Sequence, residues 1–146
     1  MLRSRGVSGT VLHHVLIARV GTLACAIPVA HVVETMRPLP IEPLGHCADY
    51  VRGVSVIRGV ATIVIDAATL FKTSAGARSR FVVVRVGTRT AALIVDEVSE
   101  VRTLPETELG ALPPLARSAG NEMIQAIGAV DAELVLVLEA AKLVTA

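Results

Sequence analysis

Residues 19–36 read RVGTLACAIPVAHVVETM and residues 85–102 read RVGTRTAALIVDEVSEVR. Laid side by side at an offset of 66 positions (85 − 19), they agree at eight of eighteen places: Arg19/Arg85, Val20/Val86, Gly21/Gly87, Thr22/Thr88, Ala26/Ala92, Val29/Val95, Val32/Val98 and Glu34/Glu100. Composition alone gives about one or two matches in such a window, so the chain carries a duplicated supersecondary unit. A second match extends it. IVIDAATLF, ending at Phe71, parallels LVLEAAKLV, ending at Val144, at an offset of 73 (144 − 71).

Each copy repeats one local grammar. An apolar run ends at Val-Gly-Thr, whose glycine can take the positive φ of a tight hairpin, and a second apolar run follows. The stretches IPVAHVVETM and IVDEVSEVRTL after these hairpins read equally as short helical turns or as a bent strand, and Pro28 marks an edge or a bulge. RPLPIEPLGHCADYVRGV, with Pro38, Pro40, Pro43 and Gly45, reads as a loop with fixed corners. VSVIRGVATIVIDAATLF reads as two strands around Arg58-Gly59, closed by a turn that Asp66 can cap. KTSAGARSR is expected to be a flexible link between copies, LPETELGALPPL a second proline-cornered loop, and EAAKLV a short terminal helix.

The chain of 146 residues is 53% hydrophobic but only 2% aromatic, so Val, Ile, Leu and Ala must fill its core, and the β-branched share favours strands. A net charge of +1 supplies no field for phosphates or anionic lipid. The apolar run from Val15 to Val33 is broken by Arg19, Gly21 and Pro28, which argues against membrane insertion. Cys25 and Cys47 lack redox or zinc spacing and read as buried, reduced thiols of a cytoplasmic protein. Residues 1–9 read as a disordered N-terminus. The expected class is all-β with minor α: two pseudo-symmetric five-stranded β-barrels sharing a hydrophobic core, with a short C-terminal helix. The single domain covers residues 10–146, with residues 13–73 as the first barrel and 80–146 as the second.

AIPVAHVVETMR, PLPIEPL, VRGVSVIRG, VIDAATLF, VGTRTAALIVDEVSEV and LVLVLEAAKLV, in this order from about Val15 to Val144, resemble the successive signatures of the chemotaxis coupling proteins, the CheW-like domains. The resemblance implies two five-stranded barrels around a joint core and a non-catalytic adaptor. Its implied partners are the methyl-accepting chemoreceptor cytoplasmic tip and the CheA-like histidine kinase regulatory domain, in receptor arrays. The same resemblance implies receptor or kinase contacts at Val32, Glu34 and Arg58 and a receptor-binding groove at Phe81, Ala92, Val98 and Val101. Val56 stands where the family usually has Asn, and Asp66-Ala67-Ala68 where it often has Asp-Leu-Arg. A divergent member that keeps one of the two partners is therefore the nearest alternative.

On the residues alone, Arg58 is also readable as a turn arginine with a solvated head. Glu34 could pair with Arg37 at i, i+3 in a helix, and the four groove residues could be plain core. His13 and His14, adjacent, would point to opposite faces of a strand, so no metal is expected. No Ser-His or Cys-His order, no paired acids and no phosphate loop suggest an enzyme or a cofactor. A small barrel binding nucleic acid or a small ligand is the rival class, but Tyr50, Phe71 and Phe81 are the only aromatics available for stacking. A monomer is expected for the isolated chain.

Overall fold

The two Val-Gly-Thr corners are hairpin turns, with Gly21 and Gly87 at φ of +58° and +62°, a region glycine enters without steric cost. The computed structural model describes residues 3–5, 11–111 and 121–145. In chain order its strands are β1 (Arg3–Arg5), β2 (Val11–Val20), β3 (Leu23–Pro28), β4 (Val32–Met36), β5 (Val51–Ile57), β6 (Val60–Asp66), β7 (Arg80–Val86), β8 (Arg89–Val95), β9 (Glu97–Pro105), β10 (Ile124–Val130) and β11 (Glu133–Leu138). Two short helices, α1 (Ala67–Phe71) and α2 (Ala140–Leu143), close the copies. Asp66 caps α1 as expected, accepting the Ala68 N–H at 3.2 Å.

The strands form two sheets. One runs β9-β2-β3-β11-β10, with β1 also paired to β2; the other runs β4-β7-β8-β6-β5. This corrects the expected division into barrels of residues 13–73 and 80–146. Each sheet instead joins the hairpin of one copy to the three remaining strands of the other. The reason lies in the burial of the hairpins. β2 sends Val15 and Ile17 into one core and Leu16, Ala18 and Val20 into another. A strand buried on both faces needs neighbours on both edges and layers on both sides, and its own copy cannot supply all four.

The exchange is symmetric to the residue. Cys25 pairs with Leu136 in the parallel ladder β3–β11, and Ala91 (25 + 66) pairs with Ile63 (136 − 73) in the parallel ladder β8–β6. Ile17 opposes Glu100, and Val83 (17 + 66) opposes Glu34 (100 − 66). Even the bulges coincide: Ser99 is skipped between β2 and β9, and Val33 between β7 and β4. Duplication is therefore written in the hydrogen-bond register as well as in residue identity.

Three apolar clusters follow. The joint core packs Leu16, Ala18, Val20, Cys25 and Ile27 of one sheet against Val82, Val84, Leu93 and Val95 of the other, with Leu70 and Leu143 of the helices closing it. Val15, Ile17, Ala24, Ala26, Leu104, Val135 and Val137 fill the interior of the first sheet. Ile57, Val64, Phe81, Val83, Ala92 and Ile94 fill that of the second. In each sheet one backbone bridge ties the chain just beyond an edge strand to the opposite edge: Glu42, after β4, with Val54 of β5, and Gly110, after β9, with Ile127 of β10.

Three local expectations need correction. Arg3–Arg5 pairs with β2, in register Arg3↔His13, instead of fraying; the rest of residues 1–9 lies outside the described residues. Cys25 is buried, its thiol pushed up to about 12 by burial, but Cys47 is exposed because the proline-cornered loop runs outside both sheets. The KTSAGARSR link is not slack: Gly76 and Arg78 donate their amides to the Asp96 carboxylate, each at 2.9 Å. Of the second proline-cornered loop, residues 112–115 lie outside the described residues.

Candidate functional site

β5 and β6 turn at Arg58-Gly59, both residues at positive φ, +52° and +77°, the two-residue turn whose twist suits a hairpin. The turn aims Arg58 across the seam at the opposite edge strand, β4. There its guanidinium donates to Glu34 through Nε at 3.1 Å and Nη2 at 2.8 Å, a bidentate pair. The hydrogen bond from Arg58 holds the Glu34 carboxyl below its ordinary value, and Glu34 in turn raises Arg58. Pairing with Arg37 does not occur, because Glu34 lies on a strand and not on a helix. The pair is open to water, so its contribution to stability is small and its atoms are available to a second molecule.

Around this pair the surface is apolar without a folding reason. Val33 is 42% exposed, Val56 67% and Val60 49%. Val33 adjoins Glu34 on β4, and Val56 and Val60 flank the Arg58-Gly59 turn. A shallow depression beside them is lined by Leu39, Pro40, Ile41, Glu42, Val54 and Val56.

The first sheet carries the duplicate of this tip. At the equivalent places stand Ser99 (33 + 66), Ala129 (56 + 73), Asp131 (58 + 73) and Glu133 (60 + 73). The seam is again bridged by ions, but with the polarity reversed: Arg102 of β9 reaches Asp131 of the β10–β11 turn at 3.1 Å and Glu100 at 3.2 Å. Arg19 pairs with Glu133 at 2.8 Å, and this bond and charge raise Arg19. Over five equivalent positions, Arg85, Glu34, Arg58, Val60 and Met36 sum to +1, and Arg19, Glu100, Asp131, Glu133 and Arg102 sum to −1.

The residues expected from the sequence fall into two groups. Glu34 and Arg58 are brought together, with Val32 half-buried beside them against the joint core. The four expected groove residues are scattered. Phe81 and Ala92 are fully buried in the interior of the second sheet, which rules them out as groove lining, since alternate residues of β7 and β8 face that interior. Val98 is half-buried against the joint core, and Val101 is 60% exposed on the outer face of β9. The sequence reading missed Val33, Val56 and Val60 as contact candidates. The duplication itself held the signal: their twins Ser99, Ala129 and Glu133 show that the fold does not need valine there.

Among the described residues no group of three or more His, Cys, Asp or Glu could hold a metal ion, and no helix is long and apolar enough to cross a membrane.

Similarities to known proteins run along nearly the whole chain. The chemotaxis protein CheW of Klebsiella aerogenes is 24% identical over 139 residues, covering 93% of this chain and 84% of that protein. The chemotaxis protein CheW of Rhizobium meliloti (strain 1021) is 24% identical over 124 residues, covering 83% of this chain and 80% of that protein. The crystal structure of the scaffolding protein TtCheW from Thermoanaerobacter tengcongensis has the same fold, with a TM-score of 0.75 at 20% identity over 87% of this chain and 84% of that one. The sequence pattern of the CheW-like domain matches residues 14–146, which takes in both hairpins, both seams and the Glu34–Arg58 tip, and the chain therefore belongs to the CheW-like domain family.

Proposed function

We propose that this protein is a non-catalytic adaptor of chemosensory signalling, joining the cytoplasmic tip of a chemoreceptor to the regulatory domain of a histidine kinase. The observation that carries this reading is the asymmetry of the two tips. Exposed Val33 adjoins Glu34 and exposed Val56 and Val60 flank the Arg58-Gly59 turn on the second sheet, while the duplicate positions hold Ser99, Ala129 and Glu133. Apolar area left in water beside a charged pair is what a protein-binding face presents before its partner covers it. Family membership supplies the class of partner. Val32, Glu34 and Arg58 then belong to one contact face, extended by Val33, Val56 and Val60; Val98 and Val101 on β9 belong to a second face toward the receptor.

A near-neutral chain suits such a role, because apolar burial and backbone complementarity supply the affinity and the ion pair supplies the register. On this reading the protein works in the cytoplasm, recruited to receptor arrays. Co-sedimentation with receptor tip and kinase, tested together and singly, decides the matter. Arg58→Glu is expected to abolish recruitment with the circular-dichroism spectrum unchanged. Recruitment that survives the substitution removes Arg58 from the contact, and a salt-dependent shift of single-stranded nucleic acid by the wild type would replace the reading altogether.

A further inference from the structure

The chain passes between the sheets twice after a hairpin, and the two passages differ. From β3 to β4 it crosses through Val29–His31, a single 3₁₀ turn with no side-chain cap. From β8 to β9 it crosses in one residue, Asp96. Asp96 is the twin of Ala30 (96 − 66), so what it does has no counterpart in the first copy.

Every polar atom of Asp96 is used. Its N–H donates to the Arg19 carbonyl at 2.8 Å, continuing the β9–β2 ladder to the end of β2. Its Oδ2 accepts the Gly21 amide of the β2–β3 turn at 2.6 Å and the Gly76 amide at 2.9 Å, and its Oδ1 accepts the Arg78 amide at 2.9 Å. Its carbonyl accepts the Ser79 hydroxyl. Residues 72–79 are thereby drawn over the β2–β3 turn. The approach is close: a Cβ on Gly21 would lie 2.2 Å from the Ser74 carbonyl oxygen, and one on Gly76 would lie 2.6 Å from Asp96 Oδ2. A second anchor holds the same segment, because Arg78 Nη2 donates at 2.7 Å to Asp66, whose carboxylate is buried.

We infer that Asp96 and the strap of residues 72–79 form a clip that fixes the two sheets against each other at the β8–β9 crossover. One carboxylate gathers three amides from two separate segments, Gly21 of the first sheet's β2–β3 turn and Gly76 and Arg78 of the strap leading into β7 of the second, while the same residue's amide extends the β9–β2 ladder. Breaking the carboxylate's acceptor geometry therefore frees strap and turn together. Among the described residues nothing lies within 4 Å of a Cβ placed on Gly87 of the β7–β8 turn, the duplicate of the clipped one.

Hydrogen exchange and limited trypsin digestion test the clip on the intact chain. In Asp96→Asn, whose amide nitrogen turns a donor toward amides that need an acceptor, exchange at Gly21, Gly76 and Arg78 is expected to quicken at least about tenfold. Cleavage after Arg78 should appear, while β7 and β8 stay protected. Gly76→Ala, on the exposed strap and away from all three cores, should give the same local opening, and it decides the question if Asp96→Asn fails to fold. Glu97→Gln, one residue away, should leave exchange at those amides as in the wild type. Wild-type protection of the strap in both Asp96→Asn and Gly76→Ala would overturn the inference.

Discussion

The tips of the two sheets are built on one plan and finished in opposite ways. Each places an ion pair across a seam, Glu34 with Arg58 on the second and, two positions further along the edge strand, Arg102 with Asp131 on the first. Yet the second has exposed Val33, Val56 and Val60 where the first has Ser99, Ala129 and Glu133, and the first has exposed Val101 and Leu134 instead. Where the backbone at the tips is shared, an exposed side chain that differs between them is not demanded by that backbone. An internal duplicate thus acts as a control, separating residues kept for structure from residues free to serve a partner.

The sharpest way to test this separation is to begin with positions the fold does demand. Phe81→Ala empties the interior of the second sheet and should cost about 3–5 kcal/mol, close to the whole stability of a marginal domain. Its twin Val15→Ala, in the interior of the first sheet, should cost on the order of 2 kcal/mol. Urea melts read both, and equal losses would mean that the two interiors are filled to the same tolerance.

At the tips the order should reverse, with binding affected and stability spared. Arg58→Glu is expected to weaken kinase or receptor binding on the order of 30-fold or more, the scale of an interface hot spot. Asp131→Arg, at the same place on the first sheet, should change it less than about threefold. Titration calorimetry against each partner separates these, and matching losses would erase the functional distinction between the tips. Val56→Asp should cost about tenfold in the same assay and Ala129→Asp almost nothing, because only the first replaces a large exposed apolar side chain with a charge.

The smallest effect is in titration. The hydrogen bond from Arg58 lowers the Glu34 pKa, so the pair's stabilisation is fully present above the unfolded carboxylate value of about 4.3 and is lost as pH falls through the lower folded value. The Glu34 side-chain resonance should therefore titrate below about 4.3 in the wild type and move up toward that value in Arg58→Ala. An unchanged midpoint would show that the bidentate pair is not held in solution.

Much of this molecule was legible in the string of residues. The glycine turns, the Asp66 cap, the two strands around Arg58-Gly59 and the duplication itself all follow from local chemistry and from internal matching. The partition into sheets did not, because it depends on which strand lies beside which. A hairpin apolar on both faces states that it is interior without stating whose interior. The resemblance alone assigns Phe81 and Ala92 to a groove; the residues themselves read as plain core, which is where they lie. Glu34 and Arg58 were each picked out, but their mutual bond spans 24 positions and two edges of a curled sheet, beyond any local rule.

The parallel pairing of β3 with β11 also bears on how the chain comes off the ribosome. The first hairpin to emerge, residues 11–28, finds its parallel neighbour only when residues 133–138 have been made. Until then one side of β3 is unpaired and the interior its Ala24 and Ala26 share with Val135 and Val137 is incomplete, so the nascent chain must carry an open, sticky edge through most of its synthesis. Such long-range closure makes folding slow and late, and a ribosome stalled short of residue 133 would hold a chain that no rearrangement of its existing strands can complete.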